Sequence, residues 1–265
     1  MEIRTFLVPK TGSSDTECED AVCVWSADDA SVGHFAAVCD GASESLLAGA
    51  WARVLAGDAI ESMSLADRWW EHVGLFAEDL VSRAGRHWDT FLADYQADRT
   101  ARGRPIEWYE QPGLDKGAFA TVLAVQLIPR GHGWTWRAFA LGDSCLFQLR
   151  DHAVLRSFPI QDPAAFGTTP ALLGSRNRDG VLVADRLELN RGRVRPGDEL
   201  LLVTDALAAW LLTPDGGSEA SLRGLAAVSE LGVDDFAEWV VDQRVRGRMR
   251  NDDVAMVRLR VEAAR

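Results

Sequence analysis

No stretch of the 265-residue sequence is apolar over the ~20 residues that a membrane-crossing helix needs. The first residues also lack the basic start and apolar core of a secretory signal, so the reading is a cytosolic protein with no membrane partner. Four cysteines, Cys18, Cys23, Cys39 and Cys145, form no CxxC pair, which argues against a zinc ribbon or disulfide framework and for free thiols. The histidines, His34, His72, His87, His132 and His152, have no paired spacing that would suggest a histidine–zinc site. Neither a Gly-x-Ser-x-Gly elbow nor a Gly-x-x-x-x-Gly-Lys loop occurs, which argues against a serine hydrolase and a nucleoside triphosphatase. Positive charge is in deficit: the net charge is -12 and the pI about 4.9, which removes the basic face that nucleic acid or an anionic membrane would require. With no internal repeat, low-complexity tract or linker, residues 1–265 read as a single domain.

What the chain does have is an ample apolar fraction, 47%, and acidic residues that recur where apolar runs stop. The run Phe35 to Cys39 reads as a buried strand and ends on Asp40-Gly41. Similar placements are Glu19-Asp20 before Ala21-Val22, Gly142-Asp143, Thr204-Asp205 after Leu200 to Val203, and Asp252-Asp253 before Val254 to Val257. Carboxylates at the ends of different strands can converge, and their repulsion is relieved only by cations; an all-oxygen set suits Mg²⁺ or Mn²⁺.

The remaining pattern supplies a frame for such convergence. Ile3 to Val8 reads as an edge strand ended by Pro9, and Lys10 to Asp15 as a loop. Ala21 to Trp25 and Gly33 to Cys39 form a predicted hairpin turning at Asp28-Asp29, whose antiparallel geometry makes Glu19 and Asp40 neighbours. Ser43 or Ser45 can cap a helix carrying Leu46, Leu47, Ala50, Val54, Leu55 and Ile60, and a second helical region runs from Leu65 to Tyr95. Tryptophans along these helices read as packing anchors. Asp98 to Asp115 reads as a loop, followed by a four-strand meander over Phe119–Ile128, Trp134–Leu141, Cys145–Arg150 and Ala153–Ser157. After a long loop to Asp179, strands are expected at Val181–Leu189, Leu200–Thr204 and Val254–Val261. Helices are expected at Ala206–Leu212, Ser218–Val228 and Asp234–Val245.

The ordered blocks Glu19-Asp20-Ala21, Asp40-Gly41, Gly117 to Thr121, Gly142-Asp143-Ser144, Leu201 to Asp205 and Asp252 to Ala255 resemble those of the metal-dependent Ser/Thr protein phosphatases, the PPM or type 2C group. The resemblance implies an α+β fold, a four-layer α-β-β-α sandwich of two mostly antiparallel sheets flanked by helices. It implies hydrolysis of phosphoserine and phosphothreonine esters by a water activated between two ions, Mn²⁺ or Mg²⁺. A phosphoprotein substrate and a Ser/Thr kinase in the same pathway are the implied partners; a monomer is taken as the default state, on which the sequence itself is silent.

By that resemblance Asp40 bridges the two ions, Asp205 and Asp252 complete one shell, and Glu19 with the carbonyl of Gly41 serves the other. Asp20 falls behind these ligands and orients them. Asp143 matches the residue used for a third, weaker ion, the alternative being a plain Gly-Asp-Ser turn. Strand alternation favours Asp253 over Asp252 as the inward-facing acid, whereas the family pattern assigns the first of the pair; the assignment adopted is Asp252.

Four positions depart from the pattern: Asp15 stands where members carry a phosphate-gripping arginine, Ala42 replaces a histidine, and Ala206 and Ala209 replace a glycine and an acid. Lys10, Arg176 and Arg178 are the candidate replacements for the arginine. The departures keep open a second reading, a catalytically weak or inactive phosphatase-fold binding module. A two-metal hydrolase of small phosphoesters or nucleic acid is a third, disfavoured by the charge.

Overall fold

The unbroken apolar run Leu200–Val203 lies at the centre of the architecture, because a strand with no polar side must be covered on both faces. The computed structural model describes residues 1–27, 32–66, 68–130, 133–167 and 169–261. In chain order the elements are β1 (Glu2–Val8), β2 (Ala21–Ser26), β3 (His34–Cys39), α1 (Ala48–Leu65), α2 (Val73–Ala101), α3 (Gln111–Lys116), β4 (Phe119–Ala120), β5 (Val122–Arg130), β6 (Gly133–Leu141), β7 (Cys145–Arg150), β8 (Ala153–Phe158) and β9 (Leu173–Gly174). They continue with α4 (Gly180–Ala184), β10 (Glu188–Val194), β11 (Glu199–Val203), α5 (Asp205–Leu211), α6 (Glu219–Leu231), α7 (Val233–Val245) and β12 (Val254–Arg260).

Two antiparallel five-stranded sheets, ordered β1-β12-β11-β7-β8 and β10-β6-β5-β3-β2, stack face to face. Strand alternation sorts the core into three layers. Ala36 and Val38 of β3, Leu123 and Val125 of β5, Leu200 and Leu202 of β11, and Val257 and Leu259 of β12 fill the space between the sheets. The opposite face of β3, with Phe35, Ala37 and Cys39, packs under α1 and α2 through Trp51, Leu55, Phe76, Leu80 and Trp88. Leu201 and Val203 of β11, with Val254 and Met256 of β12, pack under α5, α6 and α7 through Leu207, Trp210, Leu225 and Phe236. The result is the α-β-β-α sandwich expected from the sequence, with β1 on an edge and tryptophans 51, 69, 88 and 136 fully buried.

Several boundaries differ, each for a physical reason. The expected meander splits: β5–β6 and β7–β8 are hairpins in different sheets, because Gly142, at φ +111°, turns the chain from one layer to the other. The expected strand Phe119–Ile128 breaks at Thr121, whose N–H goes to the carbonyl of Asp40 at 2.8 Å. β4 instead pairs with β9. Val181–Leu189 is no strand: the Asp179 carboxylate caps the Leu182 N–H at 3.0 Å and starts α4, and the strand β10 begins only at Glu188. In the expected loop Asp98–Asp115, α2 runs on to Ala101 and α3 begins at Gln111 with Pro112 in its first turn. A bidentate Arg99–Glu110 pair, with both N–O distances 2.9 to 3.0 Å, joins the two. The proposed turn at Asp28-Asp29, and His132, lie outside the described residues. Among the described residues no helix is long and apolar enough to cross a membrane.

Candidate metal centre

The strand ends meet where the sequence pattern implies. In the β2–β3 register Ala21 faces Cys39, so Asp20 and Asp40 leave the same edge of the sheet side by side. The Gly41 N–H bonds the Glu19 carbonyl at 3.2 Å, which locks the two acidic segments together. A Cβ on residue 41 would lie 2.7 Å from that carbonyl oxygen and 2.8 Å from the carbonyl carbon of Ala48, so only glycine fits this approach. Across the sandwich, the Thr204 N–H bonds the Ala255 carbonyl at 3.2 Å and places Asp205, the first residue of α5, beside the entry to β12. Asp143 arrives on the crossing from β6 to β7.

Asp40, Asp143 and Asp205 thus come from three separate elements, and each offers a carboxylate oxygen within 4.8 Å of the others. Asp143 is buried, and its Oδ1 has no hydrogen-bond partner. Burial, then the charges of Asp143 and Asp252, push the Asp40 carboxyl up to about 7, and burial also raises Asp143. A buried, unpaired oxygen among mutually repelling carboxylates fits a hard divalent cation by its donor chemistry.

Behind this group Asp20 is buried and accepts the Thr204 hydroxyl at 2.8 Å, while the same hydroxyl accepts the Ala255 N–H at 2.9 Å. Burial and then the charge of Asp40 hold the Asp20 carboxyl well above its usual range. The Asp40 N–H bonds the Thr121 hydroxyl at 3.2 Å, and that hydroxyl pairs with the Ser144 hydroxyl at 2.8 Å. Glu19 lies at the side of the cluster, its carboxylate taken by the Lys10 ammonium at 2.9 Å and by the Ser43 hydroxyl.

The adjacent acids at the head of β12 part company. Asp253 is buried, as alternation anticipates, but its carboxylate is spent on backbone, accepting the N–H of Lys10 at 2.7 Å and of Glu19 at 2.8 Å. Asp252 stays 43% exposed, and its charge acts on both Asp40 and Asp143.

Two arginines escaped the sequence reading. Arg244 of α7 donates to the carbonyls of Pro9, at 2.9 Å, and Asp252, tying the end of β1 to the start of β12. Arg250 pairs with the carboxylate of Asp205 and, at 3.6 Å, with that of Asp252. Its only sequence signal is a basic residue two places before a strand-end acid pair. The candidates that were named fare differently: Lys10 reaches the cluster, whereas Arg176 and Arg178 pair with Asp89 of α2, at 3.2 and 3.1 Å. Asp15 is exposed in a short 3-10 turn.

Four layers with strand-end carboxylates define a sandwich of the phosphatase 2C type. A family model described as Protein phosphatase 2C matches residues 10–242, and the chain belongs to that family. Among solved structures, the photosystem II phosphatase PBCP is 19% identical with a TM-score of 0.54, each chain covered over 99% of its length. The Mycobacterium tuberculosis serine/threonine phosphatase PstP/Ppp is 15% identical with a TM-score of 0.57, each chain covered over 98%. A structure of the PstP catalytic domain in complex with two manganese ions is 15% identical with a TM-score of 0.53, covering 98% of this chain and 99% of that one. A sequence comparison against curated proteins finds no match.

Proposed function

We propose that this chain is a metal-dependent protein serine/threonine phosphatase that uses two ions, Mn²⁺ or Mg²⁺, with room for a weaker third. The observation that carries the reading is the convergence of Asp40, Asp143 and Asp205 with one buried carboxylate oxygen left unpaired. Family membership and the two manganese ions of the PstP domain support it. Asp40 is assigned the shared position, Asp205 and Asp252 one ion, Glu19 and the Gly41 carbonyl the other, and Asp143 the third.

When bound, such ions neutralise phosphoryl charge and make a nucleophile of water at neutral pH. The rest of the work falls to the chain itself. Thr204 holds Asp20 behind Asp40, and Lys10 with Ser43 fixes the Glu19 carboxylate. Asp253 and Arg244 hold the loops that carry Glu19 and Asp252. With Ala42 beside Gly41 in place of a histidine, the leaving alkoxide takes its proton from water. The substrate is a phosphoprotein made by a Ser/Thr kinase of the same pathway, the chain acts as a monomer, and the cytosol is the compartment proposed.

The test is hydrolysis of an aryl phosphate and a phosphothreonine peptide by chelator-stripped protein, with and without Mn²⁺. Turnover that returns only with Mn²⁺ or Mg²⁺ is expected; a rate unchanged by chelation overturns the two-ion reading. One observation favours a second reading, a binding module without catalysis: the Arg250 guanidinium already pairs with Asp205 and lies 3.6 Å from the carboxylate of Asp252. Failure of added Mn²⁺ both to bind and to restore turnover would select that reading.

A further inference from the structure

We infer that Arg250 is the side chain with which this chain grips the phosphoryl group of its substrate, and that it guards Asp205 and Asp252 until divalent ions displace it. The inference rests on the phosphatase reading and supplies the anion-binding group that Asp15 cannot.

Three observations converge on Arg250. The first is position. Its guanidinium contacts the carboxylates of Asp205 and Asp252, and its charge acts on Asp40 and Asp143 as well, so it sits at the mouth of the cluster. The second is availability. The side chain is 43% exposed, and among the described residues those two carboxylates are its only side-chain partners. A guanidinium has five N–H donors, so several remain for an incoming anion.

The other cations near the site are committed elsewhere. Lys10 is held by Glu19 and Ser43, Arg244 gives both terminal nitrogens to backbone carbonyls and keeps its unpaired Nε buried away from an incoming anion, and Arg176 and Arg178 are anchored on Asp89.

The third observation is tethering. Asn251 makes a two-way clasp with the backbone of Thr11, accepting its N–H at 2.8 Å and donating to its carbonyl at 3.3 Å. The Asp252 N–H closes a tight turn onto the Arg250 carbonyl at 3.1 Å. The base of the side chain is therefore fixed beside the cluster whatever its guanidinium contacts. Divalent ions that neutralise Asp205 and Asp252 remove the attraction holding the guanidinium down, while the tether keeps it over the same opening. A phosphoryl group arriving there meets a planar donor fork that matches two of its oxygens.

The experiment compares wild type with Arg250→Gln and Arg250→Lys in the full chain, after thermal melts establish that each variant folds. Three quantities are read: Mn²⁺ affinity by calorimetry, affinity of the Mn²⁺-loaded protein for inorganic phosphate, and KM and kcat on a phosphothreonine peptide. In Arg250→Gln the internal competitor is gone, so Mn²⁺ should bind several-fold more tightly. Phosphate should bind more weakly by ~10–100-fold, as expected for losing charge-assisted hydrogen bonds, and KM should rise more than kcat falls. Arg250→Lys, which keeps the charge but not the fork, should fall between. Unchanged phosphate affinity, or weaker Mn²⁺ binding in Arg250→Gln, overturns the inference and makes Arg250 a structural ion-pair partner. If wild type itself neither binds Mn²⁺ nor hydrolyses the peptide, the phosphatase reading fails and the inference with it; an active wild type matched by Arg250→Gln sinks the inference alone.

Discussion

Asp40→Asn should make the metal-free protein more stable while removing its activity. The Asp40 carboxyl is pushed up to about 7 by burial and by Asp143 and Asp252, against ~3.9 in an unfolded chain. The folded state therefore holds this proton to higher pH than the unfolded state does. Stability is fully present below about pH 4 and is lost as pH rises through about 7. The distance from ~3.9 to about 7, at about 1.36 kcal/mol per pH unit, sets a ceiling of about 4 kcal/mol on the cost of the ionised carboxylate at pH 8. Asparagine keeps the shape and removes the charge. The assay is urea denaturation of chelated wild type and variant at pH 5 and pH 8. The variant should be ahead by a few kcal/mol at pH 8, and by clearly less at pH 5. Mn²⁺ at about 100 times its Kd should then add about 2.7 kcal/mol to wild type alone. A variant no more stable than wild type at pH 8, or a gap that widens towards acid, would refute the electrostatic reasoning.

The two acids that open β12 should separate by assay. Asp252→Asn should weaken Mn²⁺ binding and nearly abolish turnover at a stability cost within about 0.5 kcal/mol, since the side chain is half-exposed. Asp253→Asn should do the opposite: it sets an amide N–H₂ against a backbone N–H of Lys10 or Glu19 and costs about 1–3 kcal/mol in a thermal melt, with Mn²⁺ affinity largely kept. The reverse ranking in a paired Mn²⁺ titration and melt would show the assignment to be wrong. Thr204→Val removes both the donor to Asp20 and the acceptor for the Ala255 N–H, and should lower stability by about 1–3 kcal/mol. An unchanged denaturation midpoint would show that the hydroxyl does not hold the two segments together.

Much of this architecture is legible in the sequence because its strands are unusually uniform. Phe35 to Cys39 and Leu200 to Val203 are apolar on both faces, and the chain covers both. Composition alone is a poorer guide where a local bond decides the outcome. Val181 to Ala184 has a strand-like run of residues, yet the Asp179 cap turns it into helix. The sheet change at Gly142 is invisible to periodicity, since alternation specifies which side a residue faces but not which sheet the next strand joins. At the candidate site the acids stand out because apolar strands stop on them. Their distinctions do not: Asp253 faces inward as alternation requires, but inward there means two backbone N–H groups rather than the carboxylate cluster. Arg250 and Arg244 lie outside any strand pattern, and only the folded loops give them partners.

The position of β12 bears on how this protein comes into being on the ribosome. It is inserted between β1 and β11, with Glu2 facing Arg260 on one side and Glu199 facing the same Arg260 on the other. Until it emerges, β1 has no neighbour in its sheet and remains an open edge, the kind of exposure that invites association with other nascent chains. Thr204 takes both its backbone partner and its hydroxyl's N–H donor from Ala255, so the settings of Asp20 and Asp205 also await the final strand. A partial translation product would carry most of the acidic residues and still offer a cation no finished seat. Closure of this sheet by β12 and the setting of Thr204 beside Asp20 are therefore one event rather than two.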